Sequence, residues 1–195
     1  WLPDWLDCKE EAPFARVESG QQIKQSNWIP TDPAITDAFN RTHYRSKAQA
    51  DAIRAVVLSR AGSVSVVVLP TGSGKSLVGL SAALIGPRGV SVVIVPTIAL
   101  GYDQVSQACN ECSGKNYHID IWHADLSGAE KSAIKQRIRN GEQRLIYASP
   151  ESVTGALALS LNDAARAGLL RAFIVDEAHM VSQWGDGFRP AFQSM

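Results

Sequence analysis

Val64-Ser65-Val66-Val67-Val68-Leu69-Pro70-Thr71-Gly72-Ser73-Gly74-Lys75-Ser76 is an apolar, β-branched run that breaks into a glycine loop and opens the helical pattern Leu77, Leu80, Ser81, Leu84. The order is strand, loop, helix. Gly72 and Gly74 let the backbone turn tightly and aim several N–H groups at one point with no Cβ in the way. The helix N-terminus behind them adds partial positive charge. Such a cradle suits phosphate: Lys75 supplies a point charge for the β and γ groups, and the Ser76 hydroxyl is a ligand for Mg²⁺. Thr71 and Ser73 complete the nucleotide-binding loop. A glycine loop that merely caps a helix would not explain why Lys75-Ser76 follows.

Far downstream, Phe173-Ile174-Val175 ends in Asp176-Glu177, an apolar strand that delivers two carboxylates. Asp176 is placed to hold Mg²⁺ and Glu177 to orient and deprotonate an attacking water. The plainer alternative for both acids is charge complementarity at a helix N-terminus. The chain then runs into Ser182-Gln183-Trp184-Gly185-Asp186-Gly187-Phe188-Arg189-Pro190. Trp184 and Phe188 offer π-faces to bases, and Arg189 a guanidinium to a phosphate or base face. Ordinary packing with a solvated rim charge is the competing account. Gly185 and Gly187 favour a loop over a packed element.

These motifs together resemble the superfamily 2 helicases, and within them the RecQ-like family, from about Tyr44 onward. Leu69 to Ser76 is similar to the helicase form of motif I, in which the first glycine of the general phosphate-loop pattern is absent. Asp176-Glu177-Ala178-His179 resembles the DEAH form of motif II. Ser182 to Gly185 with Phe188-Arg189-Pro190 resembles the RecQ aromatic-rich loop. The resemblance implies a RecA-like P-loop NTPase domain that uses ATP and Mg²⁺ to act on single-stranded or partly duplex DNA. It assigns Lys75, Asp176 and Glu177 to hydrolysis, and His179, Gln183, Trp184, Phe188 and Arg189 to DNA contact or coupling. One departure is Asp186-Gly187, where the family usually has His-Asp.

Tyr44-Arg45-Ser46-Lys47-Ala48-Gln49, leading into Ala52-Ile53 and Val56-Val57, reads as a loop entering an amphipathic helix. It resembles the RecQ motif 0, which implies that Arg45 and Gln49 grip the adenine nucleotide. A glutamine amide offers a donor and an acceptor to the adenine edge. Arg45 to Gln49 is one residue longer than the usual spacing, and a surface glutamine on a first helical turn is the alternative. Val95-Pro96-Thr97-Ile98-Ala99-Leu100 with Asp103-Gln104-Val105 resembles motif Ia, and Tyr147-Ala148-Ser149-Pro150-Glu151 resembles motif Ib. Thr97 and Ser149 are therefore candidate contacts to the DNA backbone, or simply helix caps after strands.

Apolar strands at 64–69, 91–95, 118–122, 144–148 and 172–176 alternate with helical patterns at 47–61, 76–85, 98–111, 128–140 and 152–166. The expected fold is α/β, a mainly parallel sheet with helices on both faces. Ligands in such sheets bind beyond the carboxyl ends of the strands, where both the phosphate loop and Asp176-Glu177 fall. The expected organisation is an accessory extension over residues 1–40, rich in Trp and Pro, and a RecA-like ATP-binding domain over 41–195, incomplete at its C-terminus. A helicase of this group requires a second RecA-like domain carrying an arginine finger, expected in a part of the protein beyond this chain.

The 19 basic and 19 acidic residues cancel, so composition alone does not announce a nucleic-acid binder. Lys131, Lys135, Arg137 and Arg139 read as a solvated helix face. Cys109, Cys112, His118 and His123 superficially suggest zinc, but the two histidines would point to opposite faces of a strand. An odd cysteine count with no signal peptide points to reduced thiols and a cytoplasmic location. No apolar stretch is long enough to span a membrane. Leu126-Ser127-Gly128-Ala129-Glu130 is only faintly similar to a transporter ATPase signature, and its Asp-Glu strand comes too late. The competing functional class is an ATP-binding scaffold or regulatory subunit that does not unwind DNA.

Overall fold

In the computed structural model, which describes residues 29–112, 114–176 and 178, the chain enters through a short antiparallel ribbon. Its strands are β1 (Ile29–Pro30) and β2 (His43–Tyr44), with α1 (Pro33–Phe39) between them. There follow α2 (Lys47–Val57), α3 (Lys75–Leu84), β3 (Val90–Ile94), α4 (Ile98–Glu111), β4 (His118–Ile121) and α5 (Gly128–Asn140). The rest is β5 (Gln143–Ala148), α6 (Pro150–Thr154), α7 (Ala158–Arg166) and β6 (Leu170–Val175).

β3 to β6 form a sheet of order β4-β5-β3-β6 in which every pair is parallel. Parallel neighbours cannot be joined by tight turns, so helical crossovers separate them and cover the faces. The inner strands β3 and β5 are buried along their whole length. Their side chains alternate between two cores. Val93, Val95, Leu145 and Tyr147 pack with α1, α2 and α3 through Phe39, Ile53, Leu77 and Leu84. Val92, Ile94, Ile146 and Ala148 pack with Trp122, Ile134, Ile138 and Leu161 on the opposite face. This is the expected α/β architecture with helices on both faces.

The segment 64–69 departs from expectation: it is not a strand of this sheet. Its side chains keep a period of two, with Val67 and Leu69 packed against the core. Val64, Val66 and Val68 are exposed at 91, 86 and 87 %. The apolar pattern therefore reports a segment that buries one face without joining the ladder. β6 becomes the outer strand, with Phe173 and Val175 partly in solvent.

The helical pattern at 47–61 ends earlier, at Val57, with Leu58 as its C-cap. The pattern at 152–166 is broken into α6 and α7 at Gly155, which leaves helical dihedrals (φ −107°, ψ −98°). Upstream, where no long periodicity is visible, α1 begins at Pro33, stops at left-handed Asn40 and buries Ile35, Ala38 and Phe39. α5 carries a capping box between Ser127 and Glu130 and ends at left-handed Gly141. Such caps satisfy backbone groups that a helix leaves unpaired at its ends.

Candidate nucleotide and nucleic-acid site

The phosphate loop is shaped by two left-handed glycines, Gly72 at φ +79° and Gly74 at φ +87°. Gly74 is the N-cap of α3, so the helix opens directly behind the loop with Lys75 and Ser76 in its first turn. Thr71, Lys75 and Ser76 are exposed, and Ser73 is half-buried. The Lys75 ammonium donates to the Leu69 carbonyl at 3.3 Å, which folds it back across the loop. The far end of α3 is held by Arg144, a buried guanidinium that donates to the carbonyls of Leu84 at 2.7 Å and Pro87 at 2.6 Å. A positive group at a helix C-terminus also complements the macrodipole. Burial lowers the Arg144 pKa from its ordinary value.

Residues from the ribbon and α2 grip the loop from outside. Arg45 donates through Nη1 to the carbonyl of Gly72 at 2.9 Å. Gln49 donates through Nε2 to the carbonyl of Gly74 at 3.1 Å and accepts from the Arg45 backbone N–H at 2.8 Å. The Ser46 hydroxyl caps α2 by accepting from the Gln49 N–H at 3.1 Å. Gln49 is 2 % exposed, so its amide faces the protein in this arrangement. A Cβ on Gly74 would come within 2.2 Å of Gln49 Nε2. Only glycine allows both the dihedral angle and this close approach.

A cavity of about 180 Å³ opens beside these groups, lined by Arg41, Arg45, Gln49, Gly74, Ser76, Leu77, Gln107 and Glu111. It is smaller than the several hundred Å³ of a typical cofactor site. Arg41 and Glu111 form a two-pronged ion pair at its rim, with Nε to Oε2 at 2.7 Å. This pair, the Gln107 side chain and the Arg45 bond to Gly72 were not legible as site features in the sequence.

Ile94 of β3 is in register with Ala148 of β5 and with Val175 of β6. Thr97, Ser149 and Asp176 therefore all emerge at the carboxyl edge of the sheet. Thr97 caps α4 by accepting from the Leu100 N–H at 3.3 Å, and Ser149 caps α6 by accepting from the Ser152 N–H at 3.3 Å. Thr97 is exposed and Ser149 half-buried, so both hydroxyls act as helix caps. Asp176 is half-buried and accepts a hydrogen bond from the side-chain amide of Gln104. Glu177, His179, Gln183, Trp184, Phe188 and Arg189 lie outside the described residues.

Among the described residues no group of three or more metal-ligating side chains forms a cluster. Cys109 and Cys112 are free thiols, the first exposed and the second buried. Ser76 and Asp176 offer one hydroxyl and one carboxylate, a hard oxygen donor set that fits Mg²⁺ held mainly by substrate phosphates and water. Among the described residues no helix is long and apolar enough to cross a membrane.

The sequence of residues 46–195 matches the DEAD/DEAH box helicase family. The chain belongs to that family. Its relatives include the ATP-dependent DNA helicase RecQ of Synechocystis sp., 34 % identical over 130 residues, which span 67 % of this chain and 26 % of the relative. The RecQ-like DNA helicase blm-1 of Caenorhabditis elegans is 34 % identical over 161 residues, 80 % of this chain and 15 % of the relative. The ATP-dependent helicase SGS1 of Saccharomyces cerevisiae is 29 % identical over 97 % of this chain and 13 % of its own length. The α/β sheet with the phosphate loop at the head of α3 is thus the RecA-like domain of a RecQ-like member. The chain spans about a quarter or less of the length of these curated relatives.

Proposed function

We propose that the protein carrying this chain is an ATP-dependent DNA helicase of RecQ type, and that this chain supplies its ATP-binding first motor domain. The observation that carries the reading is the phosphate loop itself: two left-handed glycines at the head of α3, with Lys75 and Ser76 exposed behind them. Backbone N–H groups so arranged favour an anion, and Lys75 adds the charge that a triphosphate requires. Thr71, Gly72, Ser73 and Gly74 complete the cradle. Ser76 and Asp176 would hold Mg²⁺, which when bound neutralises charge on the transferring phosphoryl group. Glu177 takes the proton of the attacking water.

Arg45 and Gln49 serve the adenine side. For Gln49 to read the base, its amide must exchange the Gly74 carbonyl for the base edge. Thr97 and Ser149 meet the DNA backbone at the carboxyl edge of the sheet, and His179, Gln183, Trp184, Phe188 and Arg189 couple that contact to hydrolysis. A second RecA-like domain completes the catalytic cleft with an arginine finger.

The test is the rate of ATP hydrolysis by the whole protein with and without single-stranded DNA. DNA stimulates the parent, Glu177→Gln abolishes turnover while ATP still binds, and Trp184→Ala retains turnover but loses stimulation. Hydrolysis indifferent to DNA would instead favour an ATP-binding scaffold.

A further inference from the structure

The Arg41–Glu111 ion pair lines two cavities at once. One is the cavity of about 180 Å³ beside the phosphate loop, which the pair shares with Gly74 and Ser76. The other, of about 360 Å³, is lined by the same two side chains with Phe39, Asn40 and Asn110. Together they reach the several hundred Å³ of a typical cofactor site. The backbone on either side of the pair is tied down. The Arg41 carbonyl accepts from the Thr31 hydroxyl at 2.5 Å, and Lys115, just past the end of α4, pairs with Asp37 of α1 at 3.0 Å. The two side chains are 33 and 28 % exposed, which leaves them room to part while the backbone stays in place. Arg45, the other guanidinium of the smaller cavity, is committed to the Gly72 carbonyl.

We infer that Glu111 is an internal competitor of the nucleotide: its carboxylate occupies the Arg41 fork that a phosphate group takes when the nucleotide enters. A planar guanidinium meets a carboxylate and a phosphate with the same pair of parallel N–H bonds, so one occupant excludes the other. Arg41 and the N–H cradle around Gly74 border the same space, so an anion seated in the loop has the fork as a neighbour. The exchange leaves the Glu111 carboxylate beside a polyanion, and like charges so placed weaken binding. Glu111 therefore holds affinity down, and Arg41 is the contact it withholds. A carboxylate that merely braced Arg41 for the ligand would act with the opposite sign, since its loss would weaken binding.

The competition rests on the loop being a nucleotide site, and it is read from binding without hydrolysis. A fluorescent ATP analogue is titrated, with EDTA present, into the whole protein and into its Glu111→Gln, Glu111→Ala and Arg41→Ala variants. Inorganic triphosphate and adenosine then serve as displacing ligands. Both Glu111 variants are expected to bind the analogue and triphosphate about fivefold more tightly than the parent, with adenosine unchanged. Arg41→Ala is expected to bind both about tenfold more weakly. Glu111 variants that bind the analogue as the parent does, or more weakly, would overturn the competition alone, as would equal tightening for adenosine. A parent that takes up neither the analogue nor triphosphate would overturn the nucleotide reading and the competition with it.

Discussion

The side-chain amide of Gln49 donates to the carbonyl of Gly74 at 3.1 Å, so the first turn of α2 holds the left-handed glycine that opens α3. The loop is thus shaped from outside as well as by its own glycines. Gly74→Ala would place a methyl group 2.2 Å from Gln49 Nε2 at φ +87°, and its ATP affinity is expected to fall at least tenfold. Gly62→Ala, equally left-handed at φ +80° but facing open space, is the control. It should cost about 1–2 kcal/mol of stability and leave ATP binding unchanged. Titration with a fluorescent ATP analogue measures both; equal affinity in the Gly74→Ala variant would contradict the strut.

Arg144 anchors the other end of the same helix. Arg144→Met fills similar volume but leaves the carbonyls of Leu84 and Pro87 without their donor. The expected loss is about 2–4 kcal/mol, read as a fall in Tm of roughly 5–15 °C for a domain of this size. Arg144→Lys keeps the charge but not the fork that reaches both carbonyls, and should recover only part of that loss. An unchanged Tm in Arg144→Met would remove the capping role.

Burial pushes the Cys112 thiol up to about 11 and also raises the Tyr147 hydroxyl from its ordinary value. Both groups are neutral in the folded chain well above the pH at which an unfolded thiol ionises, near 8.5. Their contribution is complete below the unfolded pKa and is lost as pH rises toward the folded one. Denaturant melts should therefore show stability falling between about pH 8.5 and 11, and Cys112→Ala should flatten part of that slope. At neutral pH, alkylation mapped by mass spectrometry should mark exposed Cys109 and spare Cys112 until the protein is unfolded. Equal labelling of both would contradict the burial.

Residues 64–68 lie beside the core without joining the sheet, whereas β5 is bonded on both sides. Their amides are expected to exchange with solvent orders of magnitude faster than those of Leu145, Ile146 and Tyr147. Equal protection of the two segments would contradict this placement.

The sheet and its crossovers were legible because β3, β5 and their helices carry uninterrupted apolar patterns between turn residues. The phosphate loop was legible from its glycine spacing. The same rules read Val64 to Leu69 as a strand, since an apolar run reports burial on one face or both but does not say which neighbour holds the ladder. The α1 helix escaped because seven residues show less than two full turns of periodicity. Arg144 and the Arg41–Glu111 pair escaped for another reason, as did the bond from Gln104 to Asp176: each contact joins residues far apart in the chain, and no local spacing encodes it. Asp176 was legible as a carboxylate at a strand end, but its partner was not.

The proposed role of nucleotide hydrolysis at this loop is to drive strand separation. It is tested most directly by mixing the whole protein with a forked DNA duplex carrying a fluorophore and quencher and following strand release in real time. With ATP and Mg²⁺ the parent should separate the strands, and neither omission of ATP nor the Lys75→Ala variant should allow it. Strand separation that proceeds at the same rate in Lys75→Ala, or that never occurs in a parent that hydrolyses ATP, would contradict the account.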